Sequence, residues 1–241
     1  MKPTVVVDVG NSRIKWGRCA AERVAEMVSL PHDDDAVWRR QMMAWNLSAG
    51  STWALSGVQP GQRDKLGAWL KQQGQQIIVI DSYRQLPLAL AVDIPDKVGL
   101  DRLLNAVAVN AVRKPDAPAV IVDAGTAVTV DVVDAQGIFQ GGAILPGLRL
   151  MAKALHDHTA FLPVIDEFVP MPMPAKNTAD ALRAGIFQAV LGGIESLTAR
   201  LAWPHAEMFL AGGDAALLAP HLAHAVRVWP EMTLEGIRLA V

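Results

Sequence analysis

Apolar positions come in short unbroken runs near the start of the chain and again at its middle. Residues 4–10 read TVVVDVG and residues 119–125 read AVIVDAG. Each run has the length of a buried strand and ends in an aspartate, a small or apolar residue and a glycine. After the first run, RIKWGRC and RVAEMVSL predict two further strands with turn-like residues between them. A helix is expected around 35–47, a strand at TWALSGV, a helix over 61–73 and a strand at QIIVI. After the second run, AVTVDVV and IFQGGAIL predict strands joined by the turn DAQG. Helices follow, then a strand at MFLAG, a helix over 214–223 and a strand at AVRVW. Each half therefore reads as a three-stranded meander followed by alternating helix and strand. Hairpins first and crossovers later make a mixed sheet flanked by helices. The expected fold is α/β, with two duplicated halves, 1–114 and 115–241, enclosing a cleft. RKPDAP at 113–118 supplies the joint, and LPVIDEFVPMPMPAK at 162–176 is too apolar for a solvated tail. That second stretch reads as an ordered loop lying over the cleft or a partner subunit.

Composition narrows the class. The chain has 241 residues, is 51% hydrophobic and carries a formal net charge of −2. A sizeable core is available, and disorder is not expected. Lys and Arg are scattered, which argues against a nucleic-acid protein built on a basic face. One cysteine, Cys19, allows no intrachain disulfide and fits a reducing compartment. Neither a secretory signal nor a run of ~18 apolar residues is present, so the expectation is a cytoplasmic protein that does not span a membrane.

Four stretches carry candidate chemistry. The paired Asp-x-Gly turns come first, at Asp8–Gly10 with Asn11, Ser12 and Lys15, and at Asp123–Gly125 with Thr126. One such element is an ordinary turn. Two in matching halves make a phosphate cradle, because glycine lets backbone N–H groups approach an anion and the carboxylates hold its counter-cations. VGLDRLLNAVAVNAV at 98–112 is an amphipathic helix with apolar positions 103, 104, 107, 108, 111 and 112. Asp101 at its start is either an N-cap or a general base for a hydroxyl, and Arg102 either a surface charge or a carboxylate clamp. In AKNTADALRAG, Asn177 or Thr178 caps a helix running to about Ala202, before Pro204, and its N–H groups have the chemistry to meet a ligand. In FLAGGDAALLAP, Gly212-Gly213 is a strand-to-helix turn, plain or shaped for a flat ring or ribose. Other phosphate loops are absent: Gly142 and Gly147 have the P-loop spacing, but Leu148 stands where lysine is needed. His156 and His158 flank Asp157 without further ligands, His221 and His224 share a helix face, and the seven tryptophans read as core or interface.

Together, DVGNSRIKWG, VGLDR, VDAGTAVTVD, GGAILPGL, ALHDHTAFLP and KNTADALRAG resemble the type III pantothenate kinase family, in order and spacing, from Val5 to about Leu218. The family includes regulators of the Bvg accessory factor type. It belongs to the acetate and sugar kinase, Hsp70 and actin superfamily, so the resemblance implies two ribonuclease H-like/actin-like domains. It further implies ATP-dependent phosphorylation of pantothenate to 4′-phosphopantothenate, the first step of coenzyme A biosynthesis, by a cytoplasmic homodimer. Asp8, Val9, Gly10, Asn11, Ser12, Arg13, Ile14 and Lys15 would form the first ATP phosphate loop, and Thr126 would also contact ATP. Asp101 would be the base. Gly99, Leu100, Asp101, Arg102 and Thr178 would bind pantothenate, the last from a partner subunit. Asp123 would bind K⁺ or NH₄⁺, and Mg²⁺ would accompany ATP. Val92 departs from the pattern: the family commonly has a tyrosine there that touches pantothenate, and the single tyrosine of this chain is Tyr83. That departure motivates two alternatives, a non-catalytic nucleotide-binding regulator and a sugar kinase or phosphohydrolase of the superfamily.

Overall fold

The computed structural model describes residues 2–201 and 205–241. The chain divides into two compact units: Met1–Val112 with Glu231–Val241, and Arg113–Pro230. The break falls at the start of RKPDAP. Residues 231–241, which a halving of the sequence leaves in the second half, belong to unit 1.

In unit 1, β1 (Val5–Val9), β2 (Ile14–Ala20) and β3 (Arg23–Leu30) form an antiparallel meander. After α1 (Asp35–Ala44), β4 (Thr52–Gly57) joins parallel to β1; after α2 (Pro60–Gln72), β5 (Gln76–Val79) joins parallel to β4. The order is β3-β2-β1-β4-β5. Every residue of β1 is buried, as a central strand covered on both faces requires. Asp34 caps α1 by accepting from Val37 N at 2.9 Å, and Pro60 opens α2, where its missing N–H costs nothing. Five tryptophans fill this core. Trp16 meets Trp53 edge-on at 4.8 Å, Trp38 meets Trp69 at 5.3 Å, and Trp45 tilts against Trp16. Trp229 lies against Phe209, and Trp203 is outside the described residues. α3 (Leu100–Asn110) buries Leu103, Leu104, Val107 and Ala108. The apolar periodicity runs on to Ala111 and Val112, but the helix stops at Asn110 and both are exposed where the chain leaves the unit.

Unit 2 repeats the plan. β6 (Ala119–Ala124), β7 (Ala127–Val133) and β8 (Phe139–Pro146) form the meander, followed by α4 (Leu148–Asp157) and α5 (Thr178–Leu201). β9 (Glu207–Ala211) pairs parallel to β6, and β10 (Arg227–Val228) parallel to β9, so the sheet reads β8-β7-β6-β9-β10, strand for strand the order of unit 1. Asn177 is the cap of α5, its Oδ1 accepting from Asp180 N at 2.9 Å. The expected end of that helix at Ala202, and Pro204, lie outside the described residues. The helix expected over 214–223 is only α6 (Ala215–Leu218) and a 3₁₀ turn, because Pro220 cannot continue the ladder. Residues 162–176 form no helix or strand. Ile165 and Phe168 anchor them in the unit's own core, while Phe161, Val164 and Met173 are exposed.

The last element, α7 (Met232–Leu239), packs on α3 and on the sheet of unit 1. Among the described residues, no helix is long and apolar enough to cross a membrane.

Candidate functional site

Unit 1 holds two groups of the expected site residues. The first is the β1–β2 hairpin. Register pairs Asp8 with Lys15 and Val9 with Ile14, so the turn consists of Gly10, Asn11, Ser12 and Arg13. Gly10 N donates to Arg13 O at 3.1 Å, closing it. Directly opposed residues of an antiparallel pair share a sheet face, so Lys15 stands beside Asp8. Asp8 is buried and Lys15 half-buried, whereas Asn11, Ser12 and Arg13 are exposed. The turn is braced from α2's side: Gln59 Nε2 donates to Asn11 Oδ1 at 2.7 Å. On its parallel side β1 is met by the end of β4, where Gly57 adopts φ +145° and a Cβ would lie 2.3 Å from Val9 O. Only glycine fits there, and it seats β4 against the strand end that carries Asp8.

The second group opens α3. The N-cap is Gly99, not Asp101, and it makes no side-chain cap bond. The Asp101 carboxylate instead folds over the first turn, Oδ1 accepting from Arg102 N at 2.9 Å. A Cβ on Gly99 would lie 2.5 Å from that oxygen, so glycine is needed for space and not for its dihedral freedom. Asp101 and Arg102 are both half-buried. Val92 is half-buried in the segment leading to α3. Tyr83 is engaged elsewhere, under the Arg84 guanidinium, which in turn pairs with Asp96 at 3.0 Å.

Unit 2 holds the rest. Asp123, half-buried, sits near the end of β6, paired with Thr129 on β7 and Ala211 on β9. The following turn leaves Thr126 exposed and is gripped from two sides. Gly147 N donates to Thr126 O at 3.0 Å, and a Cβ on Gly147 would lie 2.1 Å from Gly125 O. Gly212, at φ +96°, presses on Ala124, where a Cβ would lie 2.2 Å from the carbonyl oxygen. Asp214 N donates to that same oxygen at 3.0 Å. Gly57 on Val9 and Gly212 on Ala124 are thus the same contact at the same topological place, one in each unit. Thr178 is the exposed first residue of α5; since Asn177 does the capping, its hydroxyl has no such duty.

Several supports escape a reading of the sequence alone. Arg149, at the start of α4, pairs at 2.8 Å with Asp214, whose carboxylate is buried and therefore aligns a largely exposed guanidinium beside the second turn. Gln59 and Gly57 do the corresponding work at the first. Only the glycines carried a signal; the pairings are long-range. His156 contacts Leu162 O through Nδ1 at 2.8 Å, closing the loop after α4. Burial pushes the Cys19 thiol up to about 11, with Arg238 opposing and the Glu235 carboxylate adding to it, which favours the protonated thiol.

Both turns lie at the carboxyl end of a strand flanked by one parallel and one antiparallel neighbour, the end of an open α/β sheet where ligands bind. A model of the type III pantothenate kinase family matches residues 4–200. The chain is 34% identical over 237 residues to a type III pantothenate kinase of Synechococcus sp. (strain JA-3-3Ab), covering 95% of this chain and 88% of the relative. Among solved structures it is similar to a putative Baf family transcriptional activator from Campylobacter jejuni, with a TM-score of 0.65 at 21% identity over 98% of this chain and 96% of that one. It is also similar to a putative 2-dehydro-3-deoxygalactonokinase from Sinorhizobium meliloti, with a TM-score of 0.57 at 13% identity over 98% and 96% of the two chains. At such identities the structures speak to fold alone, and they agree with two ribonuclease H-like/actin-like domains.

Proposed function

The chain belongs to the type III pantothenate kinase family, and from that membership we propose how its own residues carry the reaction. It phosphorylates pantothenate to 4′-phosphopantothenate at the expense of ATP, opening coenzyme A biosynthesis. The observation that carries the residue assignment is the start of α3. There a half-buried carboxylate is fixed by Arg102 N, beside a glycine that leaves it room.

In this reading Asp101 accepts the proton of the pantothenate primary hydroxyl. The freed oxygen attacks the γ-phosphorus in line, and the bond to the ADP oxygen breaks. Arg102 holds the pantothenate carboxylate, a pairing for which guanidinium geometry is well suited. Gly99 and Leu100 complete the acceptor contacts of unit 1, and Thr178 of the partner subunit adds its hydroxyl to them. The turn from Asp8 to Lys15 engages the ATP phosphates through backbone N–H groups, Ser12 and the Lys15 ammonium, and Thr126 contacts ATP as well. Phosphoryl transfer asks mainly for positioning and charge stabilisation, and both turns are braced accordingly.

The donors at the second turn suit a hard monovalent cation. Asp123 offers a carboxylate, and the turn around it offers carbonyl oxygens, with no sulfur or imidazole among them. Bound there, K⁺ or NH₄⁺ would offset phosphate charge; Mg²⁺ accompanies ATP. The reading includes a cytoplasmic homodimer. Phe161, 94% exposed, and Ile144, 62% exposed, are apolar side chains of unit 2 that a second copy would cover.

Two measurements test this. With ATP, Mg²⁺ and K⁺, Asp101→Asn should lower kcat by ~10²–10⁴-fold with little change in KM for ATP; near-wild-type turnover would remove the base. Replacing K⁺ and NH₄⁺ by Na⁺ should depress turnover of the unmodified enzyme, and unchanged rates would take the cation from Asp123.

A further inference from the structure

We propose that Thr233, on α7, is a positioning residue for Asp101, acting through Asn105. The proposal rests on the reading of Asp101 as the base. Asp101 and Asn105 are four apart on α3 and so share a helix face one turn apart. Asn105 is 1% exposed, and its Oδ1 accepts from Thr233 Oγ1 at 2.8 Å. Asparagine is a poor residue for a helix interior, and everything else on this buried stretch of α3 is Leu, Ala or Val. An apolar pair would pack as well. A buried polar pair adds a register, because sliding either helix breaks the Thr233–Asn105 hydrogen bond in a dry interface.

The neighbouring contact fixes the same register. Gly236, three residues beyond Thr233, lies against the Leu104 backbone, where a Cβ would be 2.0 Å from the carbonyl oxygen. Adjacent residues of α3, 104 and 105, are therefore held by 236 and 233 of α7. α7 is tied in turn to the sheet. Glu235 accepts from Val24 N of β3 at 2.7 Å and pairs with Arg238 at 2.6 Å, and Leu234 packs under Gly17 of β2. β2 is also the strand that carries Lys15. A continuous path thus runs from the phosphate hairpin through α7 to the helix that presents Asp101, all of it inside unit 1. Its consequence is a fixed placement of the proton acceptor relative to the phosphate turn.

The experiment is a kinetic cycle on the full chain with ATP, pantothenate, Mg²⁺ and K⁺. Thr233→Val keeps the volume and removes the donor. It should lower kcat on the order of tenfold, since small misplacements of reacting groups cost that much or more, while KM for ATP stays put. Thr233→Ser, which keeps the hydroxyl, should restore kcat. In an Asp101→Asn background Thr233→Val should cost nothing further, because the group it positions is gone. Wild-type kcat for Thr233→Val, or an equal loss in both backgrounds, overturns the positioning role and leaves Asp101 as the base. Near-wild-type turnover for Asp101→Asn alone overturns the base and this proposal with it. If Thr233→Val does not fold, Thr233→Ala replaces it; if neither folds, the hydroxyl serves folding and the positioning role is overturned.

Discussion

At the scale of residues, glycine does most of the shaping around the two carboxylates. Gly99 shows it most sharply, because its φ of −58° suits any residue and only the Asp101 carboxylate forbids a side chain. Gly99→Ala should therefore keep the fold, with a thermal midpoint within about 4 °C of the parent. It should push Asp101 off its seat and cost roughly tenfold or more in kcat; steady-state kinetics beside a melting curve separate the two effects. Some of this was legible in the sequence. A short hairpin fixes its own register, so the facing of Asp8 and Lys15 follows from the spacing of apolar residues. Asp101 was open to two readings, since an acid at a helix start is usually a cap, and only the folded structure shows Gly99 in that place. Arg149 with Asp214, and Gln59 with Asn11, could not be read at all. Pairs that far apart in the chain leave no local trace.

At the scale of elements, the strands were more legible than the ends of helices. Both meanders follow from apolar runs punctuated by turn residues, because strand pairing across a short turn is a local event. Helix ends depend on what the chain does next. α3 stops at Asn110 although its apolar pattern continues, and α6 is cut short by Pro220. At α5 the sequence offered two caps, and Asn177 takes the role through Asp180 N. Asn177→Ala should lower stability by about 1 kcal/mol, read as a shift in the denaturant midpoint at unchanged slope. Retained stability would mean that another group satisfies the first turn. The matched glycines, Gly57 and Gly212, are element-scale features too. Each closes the gap between a parallel strand and the strand that bears the aspartate, and they extend the internal repeat beyond the two motifs that first suggested it.

At the scale of the whole chain, the repeat of element order in the two halves was legible, whereas the reading of the sequence ended at the strand AVRVW and expected neither α7 nor its return to unit 1. Periodicity reports that a helix has an apolar face, never which distant face covers it. Met232, Leu234 and Ile237 are fully buried, and at ~1.5–3 kcal/mol each their loss rivals the whole stability of an ordinary domain. A chain ending at Pro230 should lose hydrogen-exchange protection across β1–β3 and α3; native-like protection there would show that unit 1 stands without its last helix. The same return has a consequence for biosynthesis. Residues 2–112 leave the ribosome first, yet their helix partner follows only after all of unit 2 has been made. The half of the protein that is translated earliest cannot complete its core until the last residues are made, and a chaperone guarding the nascent chain would meet α3 before α7 is there to cover it.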